Sequence, residues 1–117
     1  KKLVFYLETC YSGSMFEGMD IPGVYAVSAA RADEESSAEF CPSYDGQTTM
    51  DMVNGEELGT CLGDLFSVSW LEDVEASGAA NETLESQFKV TRAKTTKSNV
   101  TQWGDLTFKD DSLADFL

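Results

Sequence analysis

The chain is 117 residues long, with a formal net charge of −13, three cysteines and no histidine. That length suits one ordinary domain or part of a larger one, and 42% apolar residues suffice for a core. Eight Lys+Arg against 21 Asp+Glu, with no basic run, argue against nucleic acid and against an anionic membrane surface, because both need a positive footprint.

No apolar stretch approaches the roughly 20 residues of a spanning helix. The chain opens on Lys1-Lys2 and passes straight into a strand-like run, without a signal-peptide pattern. Without histidine, these residues alone hold no Cys/His or Ser/His pair and no His-liganded metal.

Leu3-Val4-Phe5-Tyr6-Leu7 is a continuous run of β-branched and other large apolar residues. It predicts a strand buried on both faces, as in a central parallel sheet. Cys10-Tyr11-Ser12-Gly13-Ser14 follows as a turn of mostly small residues, and Met15–Gly18 starts a helix that Gly18 and Pro22 keep short. A second strand is expected at Val24–Ser28.

Residues 31–60 carry eight acids and a single base, Arg31, and read as one long exposed loop of the functional or mobile kind. From Leu62 the spacing of Leu62, Leu65, Phe66 and Trp70 predicts a helix with Asp64 in its first turn. Asn81 is positioned to cap a second helix reaching about Ala93, with Leu84 and Phe88 on one side. Val100–Trp103 and Leu106–Phe108 read as a closing strand or hairpin around Gly104-Asp105. The acidic tail from Asp110 reads as peripheral. Leu65, Phe66, Trp70 and Phe88 are expected in the core.

Strands and helices in this order predict an α/β layer architecture, in which ligands bind at strand carboxyl ends. That points to Glu8-Thr9-Cys10. A nucleophilic cysteine needs partial exposure, donors for an oxyanion and a base; the plainer alternative is a buried core thiol.

The run from Phe5 through Cys10-Tyr11-Ser12-Gly13-Ser14-Met15-Phe16 to Gly18 resembles the active-site strand of the legumains. These asparaginyl endopeptidases, or vacuolar processing enzymes, are caspase-like cysteine peptidases. The resemblance continues in Val24-Tyr25-Ala26, Glu35-Ser36-Ser37, Thr60–Asp73 and Glu82-Thr83-Leu84.

It implies a caspase-like three-layer sandwich with a mostly parallel central sheet, of which residues 1–117 form the C-terminal part of a single catalytic domain. Cys10 would be the nucleophile, with its N–H in the oxyanion hole. Glu8 and Asp64 would line the S1 pocket, and Ser36 and Ser37 would form its rim and backbone acceptors. Two carboxylates suit an Asn side chain, whose amide donates two hydrogen bonds, and they repel an ionised Asp.

The plainer readings are a strand-end carboxylate capping a helix for Glu8 and a helix N-terminal acid for Asp64. The pocket arginine of the family has no match here. Thr9 and Tyr11 replace the family's usual alanine and acid around the nucleophile. Thr9-Cys10 also resembles the related transamidase that attaches lipid anchors, but Gly13-Ser14-Met15-Phe16 fits legumains better.

Cys41 and Cys61 bracket the acidic loop and can form a disulfide or remain two free thiols. The resemblance to plant-type legumains, which have cysteines near these positions, favours the bridge. Asn81-Glu82-Thr83 and Asn99-Val100-Thr101 are N-glycosylation sequons, and together with a disulfide they point to a lysosomal, vacuolar or secreted protein.

The expected partners are peptide or protein substrates and the N-terminal part of the same catalytic domain, in one chain or as a separate one. No cofactor and no metal are expected. The family's general base lies upstream of the nucleophile strand, so the missing histidine implies a base outside these residues. The same residues serve peptide ligation equally well, and a catalytically silent glycoprotein with a binding role is the reading from a different class.

Overall fold

The first apolar run folds as strand β1 (Leu3–Leu7) and the second as β2 (Val24–Ser28), in a computed structural model that describes residues 1–45 and 49–117. The two strands are parallel, with Leu3 opposite Val24 and Leu7 opposite Ser28. A parallel pair needs a long connection, which residues 8–23 supply through one 3₁₀ turn at Ser12–Met15. The helix expected from Met15 shrinks to the last residue of that turn, because Gly18 and Pro22 follow too closely for more.

β2 is buried along its centre, with Tyr25, Ala26, Val27 and Ser28 at most 2% exposed. β1 departs from the expected burial on both faces. Val4 and Tyr6 pack on the core, whereas Leu3 and Phe5 are 49% and 48% exposed. Successive side chains of a strand point to opposite faces, and β1 is an edge of its sheet among the described residues.

The acidic stretch is loop-rich but not a single loop. It contains β3 (Ala38–Glu39), β4 (Met52–Val53) and β5 (Glu56–Glu57), while residues 46–48 of the expected loop lie outside the described residues. β4 and β5 form a hairpin around Asn54-Gly55, both at positive φ, the turn chemistry that tight hairpins favour. Buried Asp51 organises it by accepting hydrogen bonds from the Gly59 N–H and the Thr49 hydroxyl.

β6 (Gly63–Asp64) pairs antiparallel with β3, Ala38 opposite Asp64. This pairing moves the start of the first helix: α1 runs Leu65–Ser77, and Leu62, expected on its apolar side, is 40% exposed. Asp64 is held extended in the ladder (φ −118°, ψ 144°), so it flanks the helix instead of entering its first turn.

α2 spans Leu84–Lys94. Its cap is Thr83 and not Asn81. The Thr83 hydroxyl accepts from Ser86 N–H (3.1 Å) while Ser86 Oγ accepts from Thr83 N–H (2.9 Å), the reciprocal bonding of a capping box. Asn81 instead ends a 3₁₀ turn, Ala79–Asn81.

β7 (Thr101–Gly104) runs antiparallel to β2 and completes the sheet order β1-β2-β7. Gly104 stands at φ 78°, and a Cβ there would strike the Val24 carbonyl. The expected hairpin arm at Leu106–Phe108 is a 3₁₀ turn, because the Asp105 carboxylate accepts from Thr107 N–H (3.0 Å) and from Gly23 N–H (2.8 Å).

The tail expected to be peripheral packs into the molecule. Leu113 is fully buried, its N–H donates to Glu82 O (2.9 Å), and Phe116 lies 6.0 Å from the Phe108 ring. Phe66 of α1, Leu84 and Phe88 of α2, Val100, Phe108 and Leu113 close one core with Tyr25 and Val27. Each such side chain stabilises the fold by about 1.5–3 kcal/mol when fully buried. Leu65 and Trp70, expected in that core, are only partly buried.

Candidate active site

Past the carboxyl end of β1 the chain turns towards the first turn of α1. The α1 cap position, Asp64, makes no side-chain capping bond. Glu8 supplies it across the sequence, accepting from Phe66 N–H (3.3 Å) and Ser67 N–H (2.8 Å). A carboxylate there also answers the partial positive charge of the helix N-terminus. The remaining N–H of that turn, on Leu65, donates to the Ser37 carbonyl (2.9 Å). One helix end thereby gathers Glu8, Ser37 and Asp64.

Cys10 is a free, exposed thiol. Its Sγ lies 3.9 Å from the Ser36 carbonyl oxygen and 4.0 Å from the Ser36 hydroxyl. The nucleophile candidate therefore faces the residue adjoining Ser37, and the five sequence candidates Glu8, Cys10, Ser36, Ser37 and Asp64 share one neighbourhood. Asp64 is exposed.

The turn after Cys10 is pinned from below. Tyr11, Ser12, Gly13 and Ser14 donate their N–H groups to the carbonyls of Glu34 (2.7 Å), Thr9 (3.2 Å), Ala30 (3.0 Å) and Tyr11 (2.9 Å). The Cys10 N–H lies outside this set. Buried Ser12 accepts from Ala30 N–H (3.0 Å) through its hydroxyl. Gly13 allows this approach, since a Cβ there would stand 2.7 Å from Ala32 N.

A cavity of about 230 Å³ opens beside Glu8, lined by Tyr6, Phe66, Ser67, Trp70 and Leu71. Trp70 thus borders the site, its ring 5.1 Å from Tyr6. Burial pushes the Tyr6 hydroxyl up to about 12, so it stays protonated and donates to Gln87 Oε1 (2.6 Å).

Cys41 and Cys61 form a disulfide at the base of the acidic hairpin. Both sequon asparagines are exposed. Asn81 Nδ2 donates to Ser77 O (3.0 Å), and Asn99 Nδ2 donates to Glu34 Oε2 (2.9 Å).

The sequence profile of the peptidase C13 family matches residues 1–117. The chain belongs to the peptidase C13 family. Among curated C13 relatives, a Citrus sinensis protein named vacuolar-processing enzyme is 37% identical over 126 residues, covering 100% of this chain and 24% of its own. A Canavalia ensiformis protein named legumain is 38% identical over 123 residues, covering 97% of this chain and 24% of its own. The Arabidopsis thaliana vacuolar-processing enzyme delta-isozyme is 45% identical over 96 residues, covering 80% and 19%. The chain spans about a quarter of the length of the first two of these relatives.

Two residues of this C13 chain that sequence reasoning did not single out shape the site. Ser12 lay in the matched run around Cys10, but no role was read for it. Glu34 was one of eight acids in an acidic stretch, with no spacing to separate it from its neighbours.

Proposed function

We propose that Cys10 is the nucleophile of a legumain-type cysteine endopeptidase that cleaves after Asn, and weakly after Asp at acid pH. The observation that carries this reading is the exposed Cys10 thiol facing Ser36 beside a helix end that collects Glu8, Ser37 and Asp64. Membership of the C13 family supports it.

In this mechanism a base outside these residues takes the Cys10 proton, because the chain has no histidine. The thiolate attacks the scissile carbonyl, and the oxyanion is met by the Cys10 N–H. The intermediate collapses to a thioester, and the amine leaves with the proton held by the base. Water, deprotonated in turn, hydrolyses the thioester and restores the thiol.

In the S1 pocket the amide of an Asn side chain donates to Glu8 and Asp64. Glu8 spends two acceptor sites on α1 and keeps capacity for more. We read the chain as the C-terminal part of a caspase-like three-layer domain whose N-terminal part covers the exposed Leu3 and Phe5 beside β1. The name vacuolar-processing enzyme, carried by the Citrus sinensis relative, supports a vacuolar site of action.

The test is a peptide series varying only P1, given to the whole protein that carries this chain. Cleavage after Asn is expected to exceed cleavage after Ala or Lys at least tenfold. Equal rates would remove the pocket assignment. Replacing Cys10→Ala is expected to abolish turnover with unchanged folding, and retained turnover would remove the nucleophile.

A further inference from the structure

We propose that Glu34 is a positioning residue for the nucleophile, clasping the segment that holds Tyr11 and faces the Cys10 thiol. The proposal rests on Cys10 being that nucleophile. Tyr11 sits at φ 61°, ψ 21°, a left-handed conformation that no glycine relieves. Such a conformation persists where the surroundings determine it. Here its N–H donates to the Glu34 carbonyl at 2.7 Å. Two residues further on, Ser36 presents its carbonyl and hydroxyl to Cys10 Sγ. Tyr11, next to the nucleophile in sequence, and Ser36, against its sulfur, therefore both depend on where residues 34–36 lie.

The Glu34 side chain fixes that place. Its Oε1 accepts from Arg31 N–H (2.9 Å) and from Asn99 N–H (2.6 Å), and its Oε2 accepts from Asn99 Nδ2 (2.9 Å). The Arg31 guanidinium stands 3.9 Å from Oε2. Asn99 precedes β7, so one carboxylate ties the segment leaving β2 to the segment entering the next strand. Burial works against its charge, yet the bonds from Arg31 and Asn99 hold the carboxyl below the usual range. A surface ion pair with Arg31 alone does not capture both the main chain and the amide of a third residue. The Asn99 nitrogen that a sequon glycan would occupy is the one donating to Glu34, which lets the two roles of Asn99 be separated.

The experiment uses the whole protein and four variants, Glu34→Ala, Glu34→Gln, Asn99→Ala and Thr101→Val, the last removing the sequon while keeping Asn99. Two quantities are read: turnover of an Asn-P1 peptide, and hydrogen exchange of the Tyr11 amide. Glu34→Ala and Asn99→Ala are each expected to lower kcat about tenfold with KM within about twofold. They are also expected to speed Tyr11 exchange about tenfold while amides of β2 stay protected. Glu34→Gln is expected to recover part of kcat, because its oxygen still accepts from Asn99 N–H. Thr101→Val is expected to match the unmodified protein.

Unchanged kcat in Glu34→Ala overturns the proposal. So does a loss matched by faster exchange throughout β2, which marks general unfolding, or a loss in Thr101→Val equal to that in Asn99→Ala, which marks loss of the glycan or of the Thr101 hydroxyl bond to the Asn99 carbonyl (3.0 Å). An unmodified protein that cleaves no Asn peptide counts against the nucleophile reading instead. Tyr11 exchange still decides the clasp in that case, a tenfold rise supporting it and no change overturning it.

Discussion

Glu8 closes the first turn of a helix 58 residues away in sequence while standing two residues from the candidate nucleophile. Its position in the chain admitted two readings, pocket carboxylate or helix cap, and the structure places it as the cap. The pocket role is compatible, because an ionised carboxylate has about four acceptor sites and α1 uses two. Replacing Glu8→Gln keeps the size but turns an amide donor towards an N–H donor. It is expected to lower stability by about 1 kcal/mol in urea unfolding. It is also expected to cut kcat/KM for Asn peptides about tenfold. A stability loss without a kinetic loss assigns Glu8 to the cap alone. At this scale Cys10 and Ser36 were legible because matched motifs carry them. Glu34 was not, because its partner Asn99 lies 65 residues away and no periodicity relates them.

Between α1 and α2, Asp73 and Glu82 bring two carboxyls together. Asp73 Oδ2 and Glu82 Oε2 are buried and meet no protein donor among the described residues. Burial, then the charge of Glu82, push the Asp73 carboxyl up to about 6, with Lys94 offsetting part of the rise. The unfolded chain ionises this group near 3.8. Between those values the folded state binds more protons than the unfolded one. The stabilising contribution is therefore complete below about pH 4 and is lost as pH rises through about 6. Urea unfolding between pH 4 and 7 is expected to show that fall, and Asp73→Asn is expected to flatten it. An equal slope in both proteins removes the assignment.

The elements themselves were largely legible, since β1, β2, α2 and the body of α1 follow from local apolar patterns. Their ends were not. The start of α1 is decided by the pairing of Gly63-Asp64 with Ala38-Glu39, a contact no local pattern records. The start of α2 is decided by Ser86, which fills a capping-box position where the sequence signature expects Glu or Gln.

For the molecule as a whole, the least legible part was the tail. Its acids at 110, 111 and 115 suggested solvent, yet Leu113 between them is fully buried against Glu82 and the core. Leu113→Ala is expected to destabilise the fold by about 2–5 kcal/mol, read from the urea midpoint. A change below about 0.5 kcal/mol, the range of ordinary surface substitutions, would return the tail to the periphery.

Cys41 and Cys61 stand 20 residues apart in sequence and are joined through sulfur, while β3 and β6 lie beside them in sequence as a ladder. Any peptide bond broken between those two cysteines leaves both halves attached. Ser36 and Asp64 keep their places relative to one another through such a nick. In the presence of a peptidase, this chain can be scarred in its acidic stretch and still migrate as one piece until a reductant is added.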